Sequence, residues 1–283
     1  MLMTSQDIDP RAVLGFIVRR QQTPETACAY LGTDPSEIRA DLEGLDQHWL
    51  ETVRISASAD GRIHGAAVVE WDEELDRSWV HGPWVEEDAL RTAGPELLAA
   101  VTAQAPVTAH EMYADVAHDG MAWLAQHCGW RAGEANFEYS RTSPPPAGPQ
   151  ASDARAATGA DEPTLRELHE HEFPGTYATT EELLDPDGTY STSVIDGERA
   201  PVGYVSWQLQ GEAAVYIDFL AVHPGARRKG LGQRLIAAAQ EASGRSTVAL
   251  TVDEHRPDAR AFYAALGFTL TAATRPYRLQ RPA

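Results

Sequence analysis

Lysine is all but missing from this 283-residue chain: Lys229 is the only one, and every other of its 23 basic side chains is arginine. GC-rich codon usage would give such a scarcity. Cysteine is nearly as rare. Cys28 and Cys128 stand far apart and in no metal-ligand spacing, which excludes a disulfide framework and a zinc knuckle; both read as buried thiols. An excess of positive charge is absent too. With 42 acidic side chains the formal charge is −19, so a phosphate polymer would be repelled at long range and nucleic acid is excluded as a general partner. Cationic small molecules fit better. Residues 1–141 hold 24 acidic and 10 basic side chains, against 18 and 13 in 142–283. No stretch reaches the ~18 uninterrupted apolar residues of a membrane span, and the N-terminus lacks a basic, hydrophobic leader. These absences predict a cytoplasmic protein with no membrane partner.

The most informative segment is 215–232, an apolar strand running through His223-Pro224-Gly225-Ala226-Arg227-Arg228-Lys229-Gly230-Leu231-Gly232 into a helix from Gln233 to Ala242. Glycines at 230 and 232 remove the Cβ atoms that would hold a ligand off the backbone. Amides at a helix start, with its partial positive charge and three neighbouring cations, suit a pyrophosphate. A P-loop is excluded because Lys229 precedes its glycine with no hydroxyl after it, and the dinucleotide fingerprint because its third glycine and later acidic residue are missing.

The pattern Arg227-x-x-Gly230-x-Gly232 resembles motif A of the GNAT superfamily of acyltransferases. Asp258-Ala-Arg-Ala-Phe-Tyr-Ala-Ala-Leu-Gly-Phe268, on a helix after the strand Thr247–Val252, looks like motif B of the same superfamily. The resemblance implies acetyl-CoA as the cofactor, with no metal, held by Leu220, Ala221 and Val222 at the strand end, by Arg227, Arg228, Lys229, Gly230, Leu231, Gly232 and Gln233, and by Asp258 and Phe262. It makes Tyr263 the candidate general acid, protonating the departing thiolate; packing alone is the other role open to that ring. Asp258 stands where family members usually have asparagine and is expected to cap its helix.

Length suits two domains. The break is expected at 142–152, where Ser143-Pro-Pro-Pro-Ala-Gly-Pro-Gln-Ala-Ser152 has four prolines and no apolar periodicity, an extended connector. Residues 153–283 then form the catalytic domain: a meander of strands Gly188–Asp196, Val202–Gln210 and Ala213–Val222, turning at Gly211-Glu212, followed by alternating helix and strand. Residues 1–141 resemble a degenerate copy of it. Ala122–Trp130 aligns with Ala261–Phe268 but puts Ala125 on Tyr263, and matching Val85 to Val222 puts Leu90, Ala93 and Pro95 where Arg227, Gly230 and Gly232 stand. An unrelated module ending in Gly-Trp is the alternative. The fold class expected is mixed α/β, two tandem GNAT-like domains, each a mostly antiparallel mixed sheet flanked by helices.

Alternation along 213–222 places Tyr216 and Asp218 on one face, with Ile217 and Phe219 on the other. Asp218 is the only ionised group there, so it would deprotonate an acceptor ammonium or hold it by charge. His171, Glu172 and Tyr177, in a stretch resembling the family's acceptor-pocket loop, join Tyr216 as candidate substrate contacts. His169 and His171 are two apart, which is not a zinc-helix spacing, and His223 is read as a turn residue. Neither cysteine lies in a motif, so direct transfer to a small-molecule amine is expected, in a monomer or homodimer. A non-catalytic acyl-CoA sensor and a protein acetyltransferase are the competing readings.

Overall fold

The computed structural model describes residues 2–4, 6–143, 153–211 and 213–281. The proline-rich connector, apart from Ser143, and Glu212 of the expected hairpin turn lie outside the described residues. The chain forms two compact units, each with its own core. The N-terminal unit comprises Met1–Asn136, Asp253–His255 and Ala272–Ala283; the C-terminal unit comprises Phe137–Val252 and Arg256–Thr271. The end of the chain is therefore counted with the first unit, and residues 137–143 with the second.

In the N-terminal unit the strands are β1 (Leu2–Met3), β2 (Arg54–Ala57), β3 (Ile63–Asp72), β4 (Arg77–Val85), β5 (Ala109–Asp115) and the short β6 (Arg131–Ala132). The helices are α1 (Pro10–Arg20), α2 (Pro35–Glu43), α3 (Trp49–Thr52), α4 (Leu90–Thr102) and α5 (Asp119–His127). Asp9 and Asp34 accept amide bonds at the starts of α1 and α2, and proline follows each, the residue order that begins a helix. Strands β1 to β4 pair antiparallel, and β4 pairs β5 in parallel. One apolar layer, with Phe16, Ile38 and Trp84, lies under α1 and α2; the other, with Leu97, Met112 and Leu124, lies under α4 and α5. Trp49, Trp84 and Trp130 are buried, and Trp71 and Trp123 are half-buried against the second layer. Cys28 is buried as expected; Cys128, near the C-terminus of a short helix, is only half-buried.

The C-terminal unit repeats the plan. Its strands are β7 (Asn136–Thr142), β8 (Ala154–Ala156), β9 (Ser191–Asp196), β10 (Pro201–Gln210), β11 (Ala214–Val222) and β12 (Thr247–Asp253), with Thr269–Thr271 opening β13 (Thr269–Gln280). Helices α6 (Glu162–Glu172) and α7 (Thr180–Leu184) cover one side; α8 (Leu231–Ser243) and α9 (Pro257–Ala265) cover the other. Strands β8 to β11 pair antiparallel and β11 pairs β12 in parallel, so the strand pairing within each unit is mixed and mostly antiparallel.

The repeat holds at the level of register. In the first unit Arg77, Ser78, Trp79 and Val80 pair with 109–112; in the second Ala214, Val215, Tyr216 and Ile217 pair with 247–250. In both units the parallel pairing ends after four residues, and the next residue on the inner strand is His81 in one and Asp218 in the other. This is the alignment that matches Val85 to Val222.

Candidate active site

The parallel pairing stops partway along β11. Beyond Ile217 and Leu250 no ladder joins β11 to β12, so Asp218 to Val222 border an opening in the sheet. The antiparallel side is irregular at the same point: Ser206 opposes Phe219 and Trp207 opposes Ile217, leaving Asp218 as the extra residue of a β-bulge. A bulge resets the alternation of side chains. Ile217 packs with Leu235 and Ile236 of α8, whereas Phe219 packs with Leu165 and Leu168 of α6. The expected shared face for Ile217 and Phe219 is therefore corrected; strict period two fails because one residue is inserted. Asp218 stays on the face opposite Ile217, and the bulge brings Phe219 onto that same α6 side, beside Tyr177.

Two donors converge on one oxygen of that carboxylate. The Tyr177 hydroxyl and the Gln208 side-chain amide donate to Asp218 Oδ1 at 2.9 and 3.1 Å. Oδ2 is buried with no hydrogen-bond partner. Burial raises the Asp218 pKa above its ordinary 3.8, against the lowering effect of its two hydrogen bonds. An acceptor-only oxygen left unpaired in a partly dry site is where an ammonium would bind and lose a proton.

Sequence reasoning missed what holds Tyr177. His169, dismissed only as a metal ligand, is buried; its Nε2 meets the Ala178 carbonyl at 3.0 Å and its Nδ1 meets the Tyr204 hydroxyl. A carbonyl only accepts, so Nε2 carries the proton and Nδ1 accepts from the phenol. Phe219 packs edge-on against that imidazole at 4.8 Å and lies 5.1 Å from the Tyr177 ring. The loop at 173–178 is thus pinned over Asp218 from beneath. A lone histidine near a helix end carries no sequence signal of this.

The two glycines of the loop before α8 divide their tasks. Helix α8 starts at Gly230, whose φ of 78° belongs to the left-handed region, and no side chain caps it. The Arg234 amide is bonded to Gly230 O at 3.2 Å, so the amides of Leu231, Gly232 and Gln233 precede the helical ladder and lack partners within it. A Cβ on Gly230 would meet nothing within 4 Å, whereas one on Gly232 would lie 2.9 Å from Phe262 Cζ. Gly230 keeps the cradle open; Gly232 lets the Phe262 ring close against the helix. Arg228 also has positive φ, 63°, an uncommon conformation for a non-glycine residue that bends the loop around its amides.

The cations divide as well. Arg228 and Lys229 are exposed and unpaired among the described residues. Arg227 is engaged: it donates to Val222 O at 2.9 Å and pairs with Glu172. Glu172 also faces Arg256 at 3.6 Å and His171 at 3.7 Å, so Glu172 braces the loop and His171 stands beside it. The Tyr216 hydroxyl donates to Thr251 Oγ1 at 2.8 Å. Among the acceptor candidates Tyr177 is joined to Asp218 by its hydroxyl. Leu220 and Val222 pack beside the α8-side core and Ala221 on the α6 side; Gln233 is exposed on the first turn of α8.

Tyr263 on α9 is buried between Phe262 at 5.1 Å and Phe268 at 5.5 Å. Burial raises its phenol to about 12, so it stays protonated through the neutral range. Asp258 does not cap α9: Arg256 occupies the cap position, Pro257 opens the helix and no side-chain cap bond forms. Proline at the first position shifts the start so that the carboxylate falls in the first turn, where it favours the helix dipole without bonding an amide. His223 caps the turn Pro224–Ala226, its Nδ1 accepting from Gly225 N at 3.2 Å, as a turn residue should.

The N-terminal unit lacks this arrangement for a structural reason. Past Val80 and Met112, where its pairing stops, the chain itself fills the gap: Cys28 bridges Ala114 and the Ala29 amide donates to Tyr113 O at 2.8 Å. Leu90, Ala93 and Pro95 lie on α4, preceded by Glu86, Glu87 and Asp88, carboxylates that would repel a phosphate.

Comparison with known proteins agrees with this architecture. Residues 156–268 match the acetyltransferase (GNAT) family, and this part of the chain is a GNAT acetyltransferase domain. Over nearly the whole length the fold is similar to solved GNAT proteins. A GCN5-related N-acetyltransferase from Sphaerobacter thermophilus is 22% identical with a TM-score of 0.57, covering 96% of this chain and 93% of that one. A tandem GNAT protein from the clavulanic acid biosynthesis pathway is 17% identical with a TM-score of 0.50, covering 100% and 98%. No curated protein matches the chain. Among the described residues no helix is long and apolar enough to cross a membrane.

Proposed function

We propose that the C-terminal unit moves the acetyl group of acetyl-CoA directly to the amine of a small-molecule acceptor, and that the N-terminal unit, its gap closed by Cys28 and Ala29, binds no coenzyme. One observation carries the reading: a carboxylate with a buried, unpartnered oxygen borders the same sheet opening that leads into an uncapped, glycine-opened helix start. The residues fit the coenzyme, since the cradle at Gly230 is open and its amides are unclaimed. When bound, the coenzyme supplies an activated thioester.

The amides of Leu231, Gly232 and Gln233 hold the pyrophosphate, assisted by Arg228 and Lys229. Asp218 Oδ2 would take the proton of the acceptor ammonium, leaving a neutral amine able to attack the thioester that the coenzyme would supply. Its elevated pKa brings it nearer the amine's and eases the transfer. Tyr263 would give its phenolic proton to the sulfur as the carbon–sulfur bond breaks, and the second proton lost by the acceptor nitrogen would restore the phenol. Tyr177 and Gln208 hold Oδ1, keeping Oδ2 aimed at the acceptor.

Calorimetry with acetyl-CoA, followed by thiol release against a panel of amines, tests the proposal. Binding with amine-dependent thiol release is expected. Tight binding with no turnover for any amine would instead identify a sensor, and turnover only with peptide amines would identify a protein acetyltransferase.

A further inference from the structure

The N-terminal unit carries a feature that acetyl transfer does not use. A cavity of about 760 Å³ opens at the starts of β4 and β5, and Arg77, Arg131, Arg278 and Arg281 line it. They come from β4, β6 and the end of the chain, so only folding brings them together. Against them stands a single carboxylate, Glu111, already occupied by Arg278 at 2.5 Å and by the Tyr30 hydroxyl at 3.1 Å. Arg281 donates to the Thr102 hydroxyl at 2.7 Å. Arg77 and Arg131 have no side-chain partner among the described residues.

This grouping runs against the composition. In a chain with 42 acidic and 23 basic side chains, four guanidiniums around one cavity with one carboxylate are the reverse of the average surface. Like charges held together repel and lower stability unless a counter-charge binds among them. The wall adds a polar gap: His110 is buried, its Nδ1 lies 2.7 Å from the Ser78 hydroxyl, and its Nε2 has no partner. The volume is that of a small-molecule site.

We infer that this cavity is a binding site for a small multivalent anion bearing phosphate or carboxylate groups, held between the free guanidiniums of Arg77 and Arg131. Guanidinium forks match both chemistries in two-point contacts. The site is separate from the phosphate loop at Gly230 and stands whether or not the acetyl-transfer reading holds.

Titration calorimetry of the full chain with sodium phosphate, and separately with citrate, at matched ionic strength in chloride tests it. Saturable binding of at least one anion is expected. Arg77→Gln and Arg131→Gln should each weaken it at least about tenfold, the loss of a charge-assisted contact, with melting curves confirming that both exposed-site variants fold. Glu111→Gln, which frees Arg278, should tighten it. Phosphate alone binding identifies a phosphate ester as the ligand class, and citrate alone a polycarboxylate. The inference is overturned if neither anion saturates, or if affinity is the same in the Arg77→Gln/Arg131→Gln double variant, which would place binding at the Gly230 loop.

Discussion

The Tyr177 hydroxyl donates to Asp218 Oδ1 at 2.9 Å while Asp218 Oδ2 stays buried and unpaired. The phenol therefore orients the carboxylate without occupying the oxygen proposed to act. Tyr177→Phe should reduce kcat/KM by roughly tenfold, the worth of one hydrogen bond to a charged group, whereas Asp218→Asn should reduce it by about a hundredfold or more, the contribution of a general base. Steady-state kinetics with a turned-over amine reads both. Equal losses in the two variants would show that Asp218 only positions the acceptor.

The pH profile follows from two shifts. Asp218 must be ionised to act and its pKa lies above 3.8, so the acidic limb of kcat/KM should fall at a higher pH than an ordinary carboxylate would give and should vanish in Asp218→Asn. Tyr263 must be protonated and titrates at about 12, so it should produce no alkaline limb below about pH 11. An alkaline limb lost in Tyr263→Phe at lower pH would contradict this assignment. The same variant should leave acetyl-CoA affinity nearly intact while lowering turnover.

Gly230 and Gly232 fail differently when substituted. Gly230→Ala places a Cβ in the left-handed region at a cost of about 1 kcal/mol and narrows the cradle, so acetyl-CoA affinity should drop with little change in the α8 core. Gly232→Ala drives Phe262 outward by its 2.9 Å approach, which should lower the melting temperature as well as affinity. Calorimetry and melting curves separate the two, and identical behaviour would refute the division of roles.

His81 occupies in the N-terminal unit the place that Asp218 holds in the other. Burial lowers its pKa, but Cys28 and Glu70, the latter 2.9 Å away, outweigh burial and raise it to about 9. A raised pKa contributes stability that is complete below the unfolded value of about 6.5 and is lost as pH climbs through 9. Stability of the wild type should therefore fall between pH 6.5 and 9 by on the order of 1–3 kcal/mol relative to His81→Gln. Denaturant melts across that window check it; parallel curves would show that His81 is neutral throughout.

Local chemistry was readable along the chain wherever it depended on neighbours. Gly230 before an apolar stripe predicts the helix and its open start, and alternation from 213 to 222 predicts the strand. The repeat was visible in the match of Ala122–Trp130 to Ala261–Phe268, and the register of both parallel pairs agrees with it. Asp258 shows the limit even of local reading, because Pro257 moved the helix start by enough to change its task.

What the amino-acid order determined by itself is the set of elements and the open helix start at Gly230, since helix caps, left-handed glycines and apolar periods act over a few residues. Tertiary structure alone decided the bulge that brings Phe219 to the side of Asp218, the His169–Tyr204 pair beneath Tyr177, the Glu172 brace on Arg227, and the closure of the first unit by Cys28 and Ala29. Most of these join segments separated by tens of residues, and a polar side chain carries no mark of which distant partner will satisfy it once water is removed.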